Sequence, residues 1–162
     1  MTDLMKKAIG IADNRFFESI ALLVTRIALA GIFFRSARTK VEEGSLLTIS
    51  ENAVYQFSDA PFNSVPILNG ELGAYVTTYI EHALPILLFA GLLTRFAAAG
   101  LLVMTLVIQF FVFPESAIWW QTHIVWAAMA LMLMARGGGF FALDRLGDRS
   151  FAKAADRQTT YA

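Results

Sequence analysis

The sequence contains no cysteine. Dithiol chemistry, thiolate metal sites, iron–sulfur clusters and covalently attached haem are thereby excluded within this chain. Histidine is nearly as scarce, with two residues, and no haem, flavin or metal-binding motif is visible. No metal-ligand set and no covalently bound cofactor are therefore expected. Net charge is zero, so there is no electrostatic case for nucleic acid or for an acidic partner. Charge of either sign is thin: 16% of residues are charged and 57% hydrophobic, against about 25% and about 45–50% in soluble domains.

The hydrophobic excess, which gives a mean hydropathy of +0.57, gathers into blocks long enough to cross a bilayer, about 20 mostly apolar residues each. The expectation is an all-α integral membrane four-helix bundle forming a single membrane domain over residues 1–162. Its spans are placed at about 19–40, 71–93, 96–113 and 118–135, followed by a tail over 136–162. Only "LLTRFAA" separates spans two and three, which implies a tight antiparallel turn. A long polar connection covers residues 41–70, and its middle, "LLTISENAVYQF", could form a short surface helix. The N-terminal "MTDLMKKAIGIADNRFFESI" lacks a convincing small-residue cleavage site and reads as the approach to an uncleaved first span.

Lys and Arg set the expected orientation. Lys6, Lys7, Arg15, Arg95, Arg136, Arg145, Arg149, Lys153 and Arg157 fall on one side, and only Arg35, Arg38 and Lys40 on the other. Both termini are therefore predicted to face the cytoplasm, with the long loop and "FPESAIWW" outside and Trp119 and Trp120 at the outer interface.

Ionisable groups at bilayer depth cost about 2.5–3.5 kcal/mol on insertion scales, so they usually face the bundle interior, a partner or water. Glu81 lies fourteen residues before Arg95, Gln109 fourteen after it, and His123 thirteen before Arg136. At about 1.5 Å of rise per residue these three residues share one height on three helices, roughly 20 Å from the cytoplasmic boundary. Glu81 is expected to face inward, paired with His123 or Arg35. Glu81 and His123 are the candidate catalytic residues; Arg35, Arg38, Lys40, Gln109 and His82 are the candidate ligand-binding residues. Each has a plainer alternative: Arg35, Arg38 and Lys40 snorkelling to headgroups, Gln109 as interhelical glue, His82 facing headgroups or bonding a neighbour, and Glu81 in a permanent ion pair. Arg26 is expected to snorkel too. Arg26 and Lys40, fourteen residues apart, share one helical face, whereas Arg35 points to the opposite one. Pro85 cannot donate to the carbonyl of Glu81 and is expected to bend span two into a polar notch.

The layout "RIALAGIFFRSARTK", "EHALPILLFAGLLTRFAA" and a fourth span ending "ARGGGFFALD" resembles the DoxX family of small four-helix membrane proteins, over about Leu22 to Asp144. Arg26, Lys40, Glu81, Gly91, Thr94, Arg95, Gly137, Gly139 and Asp144 match the family pattern, while its small or His-Gly element in the first span reads "RSAR" here. The resemblance implies a bacterial or archaeal cytoplasmic-membrane, multi-pass protein with a redox connection. It points to a quinone-interacting or accessory subunit of a membrane oxidoreductase, thiosulfate-type if it is an enzyme, with quinone as the cofactor and a protein partner supplying electrons. Two other readings stand beside it: a non-catalytic scaffold recruiting a partner enzyme, and a small anion or metal transporter or binding protein, which would need to be a homo-oligomer. Membrane lipid is a partner in all three.

Overall fold

The computed structural model describes residues 14–145. Residues 1–13 and 146–162, which hold Lys6, Lys7, Arg149, Lys153 and Arg157 of the charge count, lie outside the described residues. Helix α1, Arg15–Arg38, begins where the Asn14 side chain accepts the Phe16 N–H at 2.9 Å. Glu18 in its first turn complements the positive end of the helix dipole. Thr39 caps its other end, and residues 41–49 double back through an isolated antiparallel bridge between Val41 and Ile49. Ser50 then accepts the Ala53 N–H on its side chain and starts the short helix α2, Glu51–Ser58. Its apolar residues Ala53 and Phe57 fall on one face and pack on Ala74 of the next helix.

The remaining spans are α3, Gly70–Ala90, α4, Thr94–Val112, and α5, Ser116–Arg136; with α1 they are the four helices long and apolar enough to cross a membrane. In hydrocarbon each backbone N–H and C=O must be satisfied internally, which is why these apolar runs are helical throughout. The chain is a multi-pass membrane protein built as an all-helical bundle, with no strand among the described residues. The boundaries lie within a few residues of expectation. The largest shift is at the start of α1, at Arg15 rather than near residue 19, and α3 stops three residues early, at Ala90 rather than near residue 93. Gly91 there adopts φ 70°, and the Leu92 and Gly91 N–H groups turn back to the carbonyls of Leu87 and Leu88 at 2.9 and 3.1 Å. That left-handed closure is a Schellman motif, which favours glycine.

Two helix pairs dominate the packing: α1 against α3, and α4 against α5. Between α4 and α5 the buried small residues Ala97, Ala98 and Ala130 allow close approach. Leu29 and Phe33 of α1 and Leu88 of α3 complete the same core.

Arg26 corrects the snorkelling expectation. It is 1% exposed, and its guanidinium donates to the carbonyls of Leu88 at 2.9 Å, Phe89 at 2.8 Å and Gly138 at 3.0 Å. Leu88 and Phe89 are in the last turn of α3, where carbonyls lack intrahelical donors, and Gly138 lies two residues past the end of α5, so one planar fork ties the end of α3 to the chain leaving α5. The "RGGG" exit stops α5 and lets the chain fold back, as its sequence suggests. Asp144 then accepts the N–H groups of Leu93 and Thr94 at 2.6 and 2.9 Å, capping α4, while its own N–H reaches Gly91 O at 2.9 Å. Gly91 is doubly constrained, because a Cβ there would lie 2.8 Å from Arg26 Cζ and 2.6 Å from Ala142 Cα. Arg95 is exposed beside Gly137.

Candidate functional site

At the opposite end from the Arg26 clamp the two helix pairs separate and enclose a cavity of about 380 Å³. Its wall is mostly apolar. Lys40, Glu81 and His123 are its ionisable members, and Trp126 forms part of the side. The roof comes from Phe57 of α2 and from Phe62 and Val65 in the connection to α3. The Phe62 ring packs between Phe57, tilted to it at 5.4 Å, and Phe113, just past the end of α4 and edge-on to it at 5.9 Å. The long loop thus serves as the cover of the cavity.

Each helix pair contributes one buried polar linkage to this layer. In the first pair Lys40 Nζ donates to Glu81 Oε2 at 2.6 Å, with the two side chains 7% and 3% exposed. Lys40 follows the end of α1, and its side chain runs back one turn, donating to Ser36 O at 3.1 Å and Ser36 Oγ at 2.8 Å. All three ammonium hydrogens are thereby used. The expected pairing of Glu81 with His123 or Arg35 is corrected: the partner is Lys40. The reason is rotation about the α1 axis. Arg35 lies on the face opposite Lys40 and is exposed, and Arg38 donates to the Ser45 carbonyl in the loop. Arg35 and Arg38 are not brought to the cavity, so the outer basic cluster is not a single vestibule.

In the second pair His123 Nδ1 lies 2.7 Å from Gln109 Oε1, and Gln109 Nε2 donates to Phe113 O at 3.0 Å. A carbonyl can only accept, so the amide nitrogen must face Phe113 and the amide oxygen must face the imidazole. That orientation places a proton on Nδ1 and leaves Nε2 as an acceptor in the neutral ring, or a donor once the ring is protonated. Both partners sit in π-helical turns, Ile108–Val112 and Trp119–His123, marked by the Phe113 N–H to Ile108 O bond at 2.8 Å and by Ile124 N–H to Trp119 O. Such single turns recur at functional sites because they re-aim side chains without ending the helix. Nothing in the residue pattern announced them.

His82 is buried but does not line the cavity. Its Nδ1 is 2.8 Å from Thr78 O, its ring meets Phe34 edge-on at 5.5 Å, and Nε2 is buried without a partner among the described residues. Pro85 is buried inside α3, which continues as one helix from Gly70 to Ala90, and it too stays off the cavity wall. Among the described residues no cluster of three potential metal ligands occurs. The residues missed by inspection are Ser36, four residues before Lys40, and Trp126. The shared face of Arg26 and Lys40 was the signal that could have singled out Lys40, since both turn inward and Arg35 does not.

Residues 21–114, more than half of the chain, match the DoxX family. The chain belongs to the DoxX family. The match takes in Arg26, Lys40, Glu81, Gly91 and Gln109, and stops short of His123 and Asp144. A Haemophilus influenzae protein described as uncharacterized is 27% identical to this DoxX protein over 137 residues, covering 80% of this chain and 84% of that one. No solved structure matches it significantly.

Proposed function

We propose that this DoxX protein is a quinone-interacting subunit of a membrane redox complex, acting in a bacterial or archaeal cytoplasmic membrane with both termini inside. The observation that carries this reading is the cavity. It falls in the range of about 300–1,000 Å³ usual for small-molecule sites, which are mostly apolar with a few convergent polar groups. A quinone ring is flat and apolar, and its two carbonyls need hydrogen-bond donors. A protonated His123 is a donor on the cavity wall through Nε2, Lys40 Nζ becomes a second by exchanging one of its Ser36 bonds for the quinone carbonyl, and Glu81 sits beside Lys40 as a proton-exchanging group. Converting a quinone to a quinol takes two electrons and two protons. This chain has no cysteine and no cofactor motif, so the electrons come from a partner protein that carries a redox centre. The protons pass through Glu81 and His123.

The inside orientation of the termini is supported by the exposed basic residues. Arg95 and Arg136 lie at the Arg26 end, while Lys40, counted against that orientation, is buried in an ion pair. The test is equilibrium binding of a quinone to the purified full-length protein, followed by quenching of tryptophan fluorescence, since Trp126 lines the cavity. Saturable quenching that is weakened in His123→Ala and Glu81→Gln is expected. Absence of binding to wild-type protein, with benzoquinone and naphthoquinone rings both tried, overturns the reading.

A further inference from the structure

Resting on the quinone reading, we infer that the ligand is a long-tailed quinone that enters sideways from the lipid, through a gap between α3 and α4, and leaves its tail there. The two helices touch at Gly100, where a Cβ would lie 2.5 Å from Leu84 Cδ1. Beyond that contact, toward Gly70 and Val112, both helices line the cavity, Val76 and Ile80 from α3 and Val103 and Val107 from α4. Two of these residues wall the cavity and also face outward: Val103 is 60% exposed and Ile80 38%. In this proposal that exposure marks the mouth of the cavity, on the outer surface of the bundle between them.

The depth of that opening selects the visitor. Ile80 is ten residues along α3 from Gly70, which at about 1.5 Å per residue puts it about 15 Å below the outer end of the helix. The opening lies at the level of acyl chains, not of headgroups. Its rim is valine and isoleucine, which offer nothing to a solute arriving with a hydration shell. Size points the same way. A cavity of about 380 Å³ is near the small end of ligand sites, so a molecule with a long isoprenoid tail can place only its ring and nearest carbons inside. The tail must lie in the gap and in the lipid. A second approach exists at the roof, where the exposed Gln56 of α2 also lines the cavity. That path leads toward the polar loop and suits a tailless ring.

The experiment uses the full-length protein in lipid nanodiscs and two probes, a tailless benzoquinone and the same ring carrying a long isoprenoid tail. Val103→Trp fills the gap from α4, Ile80→Trp fills it from α3, and Gln56→Trp fills the roof. We expect each gap variant to weaken binding of the tailed quinone about tenfold or more, with the tailless ring changed by about twofold or less. Gln56→Trp should leave the tailed quinone bound as in wild type. Val103→Ala, which widens the gap, should retain tailed binding. Wild-type binding of both probes with tailed binding untouched by either gap variant, or abolished by Gln56→Trp, overturns the lateral route while leaving the quinone reading intact. Equal loss of both probes in a folded gap variant also overturns the route. Wild-type protein that binds neither probe overturns the quinone reading, and the route with it.

Discussion

Removing one member of the Lys40–Glu81 pair leaves the other charge stranded. In Glu81→Ala the Lys40 ammonium keeps its two bonds to Ser36 but loses its counter-ion, in a side chain only 7% exposed. Breaking a buried pair from one side costs about 3–5 kcal/mol, chiefly because the remaining charge is uncompensated. Lys40→Met should cost a similar amount by stranding the carboxylate. The combined change Lys40→Met with Glu81→Leu removes both charges and fills the space with apolar groups of similar volume, which is often neutral or stabilising by about 1–4 kcal/mol. The two single changes together would cost roughly 6–10 kcal/mol and the double almost nothing. Reversible denaturant unfolding of the purified protein in mixed micelles measures all four corners of this cycle. The functional corner is separate. The double variant is expected to fold and to lose quinone binding, and Glu81→Gln, which keeps shape and an acceptor for Lys40, is expected to insert normally and bind poorly. A double variant as unstable as the sum of its singles would refute the argument from stranded charge. A Glu81→Gln protein with wild-type binding would make the carboxylate purely architectural.

Cysteines introduced singly at Ser45 and Ser150 report orientation. Ser45→Cys should label with an impermeant thiol reagent in intact cells, Ser150→Cys only after lysis, and labelling of Ser150→Cys alone would reverse the assignment. Arg26→Met leaves three carbonyls, at the end of α3 and just past α5, without their charged donor, each such bond being worth about 1.5–3 kcal/mol. Membrane accumulation should fall severely, and Arg26→Lys should restore only part of it because an ammonium cannot span the same fork. Gly100→Ala drives a Cβ into the end of the Leu84 side chain, which must turn aside, and should destabilise by about 1 kcal/mol, the low end of the usual range for overpacking. Adding Leu84→Ala should relieve much of that loss in the same unfolding assay; no relief would place the glycine requirement elsewhere.

Span number, helix boundaries and the common height of Glu81, Gln109 and His123 were legible in the sequence because they are one-dimensional properties. Apolar run length is compared with bilayer thickness, and depth follows from counting residues at a fixed rise. The sequence offered a short helix somewhere in "LLTISENAVYQF", and the structure sets its start at the Ser50 cap. The family itself was carried by the Gly-Leu-Leu-Thr-Arg turn, where Gly91 must close α3 in a left-handed conformation. Partner choice was not legible. Whether Glu81 meets Lys40, Arg35 or His123 depends on which helix lies beside α3 and how α1 is rotated about its axis. The packing of α1 on α3 and of α4 on α5 divides the polar layer into Lys40–Glu81 and Gln109–His123. The same holds for Arg26. A long cation near a helix end can reach headgroups or free carbonyls, and only the placing of the end of α3 and the chain leaving α5 beside it made the carbonyls nearer. The π-helical turns and the cavity also belong to the tertiary level, because each exists only where two helix pairs meet at one end of the bundle and part at the other.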